Sequence, residues 1–336
     1  MHTSRSRTGK IRHALVVSLS ALALSFGAGC AVDEGGSQNT GSGTGEDGKH
    51  TGDGNISVFA TTGYLGDAVM NIAPEADVTV MVQPGGDPHT YQPSTKDVEK
   101  MRDADLVFWN GLYLEAMMED QLESLGDKQL AVGEFVDKSM LLDWPEQDHE
   151  GNDLYDPHIW NSPDIWLDVV DQVAEKIADF DPDNADAYKE NAEAYKEKVE
   201  GLKDYAEEAI AKIPEDSRIL ITGHDAFQYY GATFGLEIHA TDFVTSESQM
   251  SAQELDELAS MIADNKVPTI FQDNLKNPQA IKSLKEAVQS KGWDVVVSDQ
   301  ELFADSLGDH SPVDTYVGVF EHNTDAILEG LTGNAE

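Results

Sequence analysis

Cysteine is almost absent from these 336 residues: there is one, Cys30. A single cysteine forbids an intrachain disulfide and any zinc or iron–sulfur site built from several thiolates. Basic residues are also scarce, 22 Lys and Arg against 63 Asp and Glu, for a formal charge of −41 at pH 7. Such an excess of negative charge repels a phosphate backbone, which argues against nucleic acid as a partner. Long apolar runs are confined to Ala14–Phe26, so nothing beyond it is long enough to span a bilayer. What is present is 40% hydrophobic residues, enough for packed cores, in a chain whose length suits about two domains.

Arg5, Arg7, Lys10 and Arg12 precede that apolar run, the order of a secretory signal over residues 1–29 rather than of a permanent span. The run ends in Gly27-Ala28-Gly29-Cys30, small residues directly before the cysteine, which resembles a bacterial lipobox. The expectation is a lipid-anchored, extracytoplasmic protein with Cys30 lipidated at the mature N-terminus. The alternative is an ordinary signal cleaved nearby, leaving a free thiol. Residues 30–55, rich in Gly, Ser, Thr and Asp, read as a disordered tether. Gly43 to His50 nearly spells a phosphate-binding loop, but His50 replaces the Ser or Thr, and no strand–helix context surrounds it.

From Ile56 onward, short β-branched or aromatic runs alternate with amphipathic stretches, the pattern of βα units. Strands are predicted at 56–60, 77–82, 105–109 and 130–132, then at 218–222, 237–240, 269–272 and 294–298. The expected fold is α/β: two βα domains, 56–183 and 214–336, each with a four-stranded parallel sheet. A helix over Asn184–Ile213, with apolar residues at three- and four-residue steps, would reach on the order of 45 Å and join them. Asp179, Asp181 and Asp183 have a calcium-loop spacing but lack its glycine, so helix capping is the better reading.

Of ten histidines, three have distinctive settings. His89 follows the second predicted strand in Gly86-Asp87-Pro88-His89-Thr90-Tyr91, and His158 repeats the wording in Tyr155-Asp156-Pro157-His158-Ile159-Trp160. His224 follows the fifth strand in Gly223-His224-Asp225-Ala226-Phe227. Proline restricts its own φ and biases the preceding Asp toward extended backbone, which fixes the direction of a histidine. Asp87, Asp156 and Asp225 are candidate acceptors for a ring N–H behind each imidazole. Asp305, beyond the last strand, is the best carboxylate to complete a metal-binding set with the three imidazoles. All four lie between a strand and the next helix, where α/β sheets bind ligands, two in each half, so the expected site is the interdomain cleft.

Together with Asn110-Gly111 and Glu115, and with Ala304-Asp305-Ser306-Leu307, these segments make the chain from about Ile56 to Leu331 resemble the metal-binding lipoproteins of ABC importers for zinc and manganese. The resemblance implies that His89, His158, His224 and Asp305 ligate the metal, and that two βα domains are joined by a rigid helix. It also implies an ABC permease partner with a separate ATPase, and a monomer is the expected state. The chain departs from the family at Trp160-Asn161-Ser162-Pro163, where a Leu-Asp-Pro continuation is commoner, which leaves helix entry there open. It also lacks the histidine-rich loop of many zinc members: Pro145 to Asp153, with only His149, reads as a solvated acidic loop.

In the resemblance, manganese members tend to carry a carboxylate at the third ligand position and zinc members a histidine. Three imidazoles and one carboxylate suit zinc by ligand softness, with manganese as the alternative. The expected function is therefore capture of zinc outside the cytoplasm and delivery to the permease, with release through movement of the Asp305 loop. A zinc hydrolase is the competing class, but four protein ligands leave no open position for water, and H-E-x-x-H is absent. Adhesion, described for resembling lipoproteins, has no sequence feature of its own here.

Overall fold

Short apolar runs, buried rather than alternating, set the first sheet. In the computed structural model, which describes residues 55–148, 151–242, 250–275 and 278–333, β1 (Ser57–Ala60) pairs in parallel with both β2 (Asp77–Val80) and β3 (Leu106–Trp109). β4 (Gln129–Ala131) extends β3, giving the order β2-β1-β3-β4. The central position of β3 explains its unbroken apolar run LVFW, buried on both faces. Helix α1 (Gly63–Ile72), capped by the Thr62 hydroxyl, buries Tyr64, Leu65, Val69 and Ile72, while α2 (Thr95–Asp103) starts in a reciprocal capping box between Ser94 and Asp97. A short α3 (Glu119–Glu123) precedes β4.

The expected acidic loop at Pro145–Asp153 is instead part of an antiparallel hairpin, β5 (Asp143–Gln147) with β6 (Asp153–Tyr155). Asp148 closes its turn by accepting from the backbone and side-chain amides of Asn152. Proline is tolerated in this two-stranded ribbon because each strand is an edge. His149 lies outside the described residues. Helix α4 (Pro163–Phe180) resolves the unusual Ser162-Pro163 wording: the Ser162 hydroxyl accepts from the Ile165 N–H, and proline occupies the first turn, where no N–H is missed.

Helix α5 (Ala185–Ile210) has 26 residues, about 39 Å at 1.5 Å per residue. Its stripe Tyr188, Ala192, Tyr195, Val199, Leu202, Ala206 and Ile210 is buried, and it packs on α1 and α4 and on the C-terminal helix α9 (Tyr316–Thr332). Polar contacts fix both directions: Tyr195 donates to the buried Asp67 of α1 at 2.7 Å, and Tyr205 donates to Asp325 of α9 at 2.6 Å. Before it, Asp181 accepts from Asn184 and Tyr188, so this acidic run serves helix entry.

Beyond α5, β7 (Ile219–His224) pairs in parallel with β8 (Glu237–Asp242) across α6 (Gln228–Phe234). Helices α7 (Ala252–Asn265) and α8 (Pro278–Ser290) alternate with β9 (Thr269–Ile270) and β10 (Val296–Val297), themselves a parallel pair. The expected second four-stranded sheet is thus realised as two pairs, stitched by the Phe271 N–H donating to the Ile221 carbonyl at 2.8 Å. The largest apolar cluster is continuous from Ile56 to Leu331 and includes residues of both lobes, while a second fills the space among β7, α7 and α8. Among the described residues no helix is long and apolar enough to cross a membrane.

The Tyr195–Asp67 bond anchors α5 in a water-free setting, where a lost donor strands its acceptor. Tyr195→Phe is expected to lower the unfolding free energy in urea by about 1–3 kcal/mol, whereas the exposed Lys189→Ala changes it by less than about 0.5. Equal small effects would refute this anchoring role.

Candidate metal centre

The two Asp-Pro-His segments build the same local device. In the loop after β2, Asp87 Oδ1 accepts the His89 N–H at 2.9 Å and its Oδ2 accepts the Thr90 hydroxyl. After β6, Asp156 Oδ1 accepts the His158 N–H, also at 2.9 Å. Each aspartate folds the backbone two residues on around itself, and the intervening proline leaves no competing N–H. The second copy goes further. Asp156 Oδ1 also lies 2.7 Å from His158 Nδ1, so that ring nitrogen carries the proton and Nε2 presents its lone pair inward.

His224 ends β7. Its N–H donates to Asp273 Oδ2 at 2.6 Å and its carbonyl accepts the Thr222 hydroxyl. Asp225, the candidate acceptor for this ring, instead accepts from Gln228, and the buried His224 Nδ1 has no hydrogen-bond partner. Asp273 is the carboxylate that sequence reasoning missed. It lies 49 residues away, and the one local signal is Gly223, where any side chain would collide with it.

Asp305 sits on a segment that β9 steers: Leu302 pairs with Asp273 in an isolated parallel bridge. This loop is far from free. The Ala304 carbonyl accepts from Trp160 Nε1 at 2.9 Å and the Tyr64 hydroxyl at 3.1 Å, and the Ala304 N–H donates to Asn274. Ser306 accepts from the Gly85 N–H at 2.9 Å and from Asn274 at 2.7 Å. The loop that carries Asp305 is therefore tied to the loop that carries His89. The expectation of an easily displaced loop does not survive these contacts.

The four side chains His89, His158, His224 and Asp305 meet at one point, all buried, with ligand-type atoms within 4.8 Å of one another. His158 Nε2 is 3.2 Å from both His89 Nε2 and His224 Nε2. The carboxylate approaches His89, His158 and His224 at 3.6, 3.4 and 3.1 Å. A tetrahedral ion with bonds of about 2.0–2.1 Å sets its donors about 3.3 Å apart, the size of these five separations. The charges are close enough to attract, yet neither Asp305 oxygen has an aligned hydrogen-bond donor. Orphaned carboxylate oxygens facing inward lone pairs, in a dry site, are the donor set of a cation.

Without a cation the cluster must hold protons. Burial drags the His224 pKa down, but the charge of the adjacent Asp305 carboxylate outweighs that and pushes it up to about 10. Burial likewise opposes ionisation of Asp305, yet attraction to His224 and the other imidazoles holds its carboxyl below the usual range. At His89 burial dominates over the attraction of Asp305, and the neighbouring imidazoles add to it, lowering the pKa to about 3. The metal-free site is thus a His224–Asp305 ion pair beside a neutral His89.

A buried cluster of three histidines and one carboxylate, two from each side of α5, is the mark of a metal-binding protein. Comparison with known proteins narrows this further. Residues 58–330 match the family described as ZnuA, zinc-uptake complex component A, periplasmic. The chain is 33% identical over 296 residues to the manganese-binding lipoprotein MntA of Bacillus subtilis, covering 87% of this chain and 94% of that one. It is 34% identical to the zinc-binding protein TroA of Treponema pallidum, covering 83% and 90%. A solved structure of TroA superposes with a TM-score of 0.78 at 33% identity, covering 83% of this chain and 99% of that one. The iron-binding protein YfeA of Yersinia pestis is 29% identical, covering 82% and 86%. The chain belongs to this family: it is a metal-binding receptor of an ABC importer, not an enzyme.

The ion pair makes stability depend on pH. His224, raised in the fold, contributes stability that is whole below its unfolded pKa of about 6.5 and is lost as pH climbs through about 10. Asp305, depressed, contributes above about 3.9 and loses that as pH falls. Both describe one pair, so its support is complete between about pH 4 and 6.5. In metal-free protein, the urea-stability gap between wild type and His224→Gln is expected to narrow from about pH 6 to pH 10. A gap constant over that range refutes the ion pair.

Proposed function

We propose that this protein is the extracytoplasmic receptor that captures zinc through His89, His158, His224 and Asp305 and hands it to a membrane permease driven by a separate ATPase. The observation that carries this reading is the convergence of three imidazole nitrogens and one carboxylate, all buried, within 4.8 Å of one another. Imidazole suits zinc, whereas manganese prefers an oxygen-rich shell. Four protein ligands close the shell against a reactive water. Manganese is the second reading, supported by the similarity to MntA. Signal-like residues 1–29 and the lipobox-like run before Cys30 support a lipid anchor followed by a tether over 30–55. The two ligand-bearing lobes, 56–183 and 214–336, are joined by the helix-forming segment 184–213, and the receptor acts as a monomer.

Loading must displace the proton that His224 holds against Asp305. Capture therefore releases about one proton per ion near neutral pH, and affinity keeps rising with pH well above the ordinary histidine range. Titration against a chelator is expected to show zinc displacing manganese, a loss on the order of 100-fold in zinc affinity for His224→Ala, and proton uptake by the buffer on loading. Preferential retention of manganese would replace the first reading with the second. Unchanged affinity in His224→Ala would overturn both.

A further inference from the structure

The end of β3 carries a backbone anomaly that metal ligation does not use. Gly111, Leu112 and Tyr113 adopt positive φ in succession, +74°, +53° and +68°. Among the described residues the one other non-glycine residue of this kind is Lys266, a helix C-cap. Left-handed backbone in bulky residues costs about 1–3 kcal/mol each and persists where surrounding contacts over-determine it.

Those contacts are on the page. Glu115, 1% exposed, accepts the Thr61 hydroxyl at 2.6 Å and the Asn110 N–H at 2.9 Å through Oε1, and the Gly111 N–H at 3.1 Å through Oε2. Each of these donors is neutral, so a buried acid is committed to shaping backbone rather than to pairing with a cation. Burial raises its pKa to about 7 against the pull of these bonds. Glu134 takes the next amide, that of Leu112, at 3.2 Å. The turn thus seats Asn110, itself 1% exposed. The Asn110 side-chain amide donates to the Pro157 carbonyl at 2.9 Å and to the Gly111 carbonyl at 3.1 Å. Pro157 stands between Asp156 and His158. A continuous chain of short contacts runs from a carboxylate in the first lobe's framework to the peptide unit that aims a ligand.

We infer that Glu115 and Asn110 are positioning residues of the metal centre: Glu115 holds the left-handed turn, and through it Asn110 fixes the Asp156–Pro157–His158 segment so that His158 Nε2 faces the cluster. This rests on the assignment of His158 as a ligand. Neither residue belongs to the four-residue cluster. The same Glu115 oxygen that receives Asn110 also receives Thr61, whose carbonyl accepts the Val82 N–H at 3.0 Å at the start of the His89 loop. The carboxylate therefore references two ligand-bearing segments to one point.

The test uses the purified protein loaded with Co²⁺, whose ligand-field absorption reports coordination geometry, alongside Zn²⁺ competition with a chelator. Asn110→Ser is expected to weaken Zn²⁺ binding about 10–100-fold, the usual consequence of losing a group that orients a ligand, and to change the Co²⁺ spectrum. Glu115→Gln retains one acceptor oxygen but turns an amide against the Gly111 N–H, so a smaller weakening with the same direction of spectral change is expected. Leu122→Ala destabilises the same lobe by cavity formation and is expected to keep the wild-type spectrum and affinity. If Asn110→Ser and Glu115→Gln keep the wild-type spectrum and affinity, or alter them no more than Leu122→Ala does, the inference fails. His158→Ala separates this from the underlying assignment: if it leaves affinity intact, the ligand set itself is wrong.

Discussion

The centre depends on the mutual repulsion of lone pairs brought together in a buried place. Three imidazole nitrogens and a carboxylate converge at separations of 3.1 to 3.6 Å with no aligned donor for either Asp305 oxygen. Such a cluster is unfavourable unless something positive stands within it. A proton on His224 meets the need partially, and a divalent ion meets it fully. Relatives of this chain are named for zinc, manganese and iron. Charge and spacing are common to these cargoes, whereas the balance of nitrogen against oxygen donors separates them.

The fold holds this arrangement in place through backbone bonds from side chains. Each side chain of the cluster is fixed behind itself: His89 by Asp87, His158 by Asp156, His224 by Asp273, and Asp305 by the contacts of Ala304 and Ser306. Two of these side chains come from before α5 and two from after it. Helix α5 is bonded to α1 through Asp67 and to α9 through Asp325. The shared apolar cluster makes the lobes one packed body around the centre.

Much of this was legible in the sequence, and the reasons are local. The βα alternation gave the strands to within a few residues, because fully buried strands such as LVFW at Leu106 cannot be disguised. The repeated Asp-Pro-His was readable because its consequence is complete within three residues. Asp273 was not, since its partner is 49 residues away and no local pattern encodes a carboxylate aimed at a distant N–H. Asp225, expected behind the His224 ring, accepts from Gln228 instead, because adjacency in sequence is a poor guide at a strand end, where successive side chains point to opposite faces. The hairpin at Asp143–Tyr155 was hidden by proline and by a composition typical of loops. The short second-lobe strands, two residues each in β9 and β10, yielded two pairs where the hydrophobic pattern alone implied one sheet.

The Asp305 segment is held at Ala304 by Tyr64 and Trp160 from the first lobe and at Ser306 by Gly85 of the His89 loop. These bonds form a roof over the cargo whose pillars stand on both sides of the cleft. An ion held beneath it would leave only as these contacts part together. Opening the centre is thereby coupled to the seam between the two halves of the chain, so whatever disturbs that seam disturbs Asp305 as well.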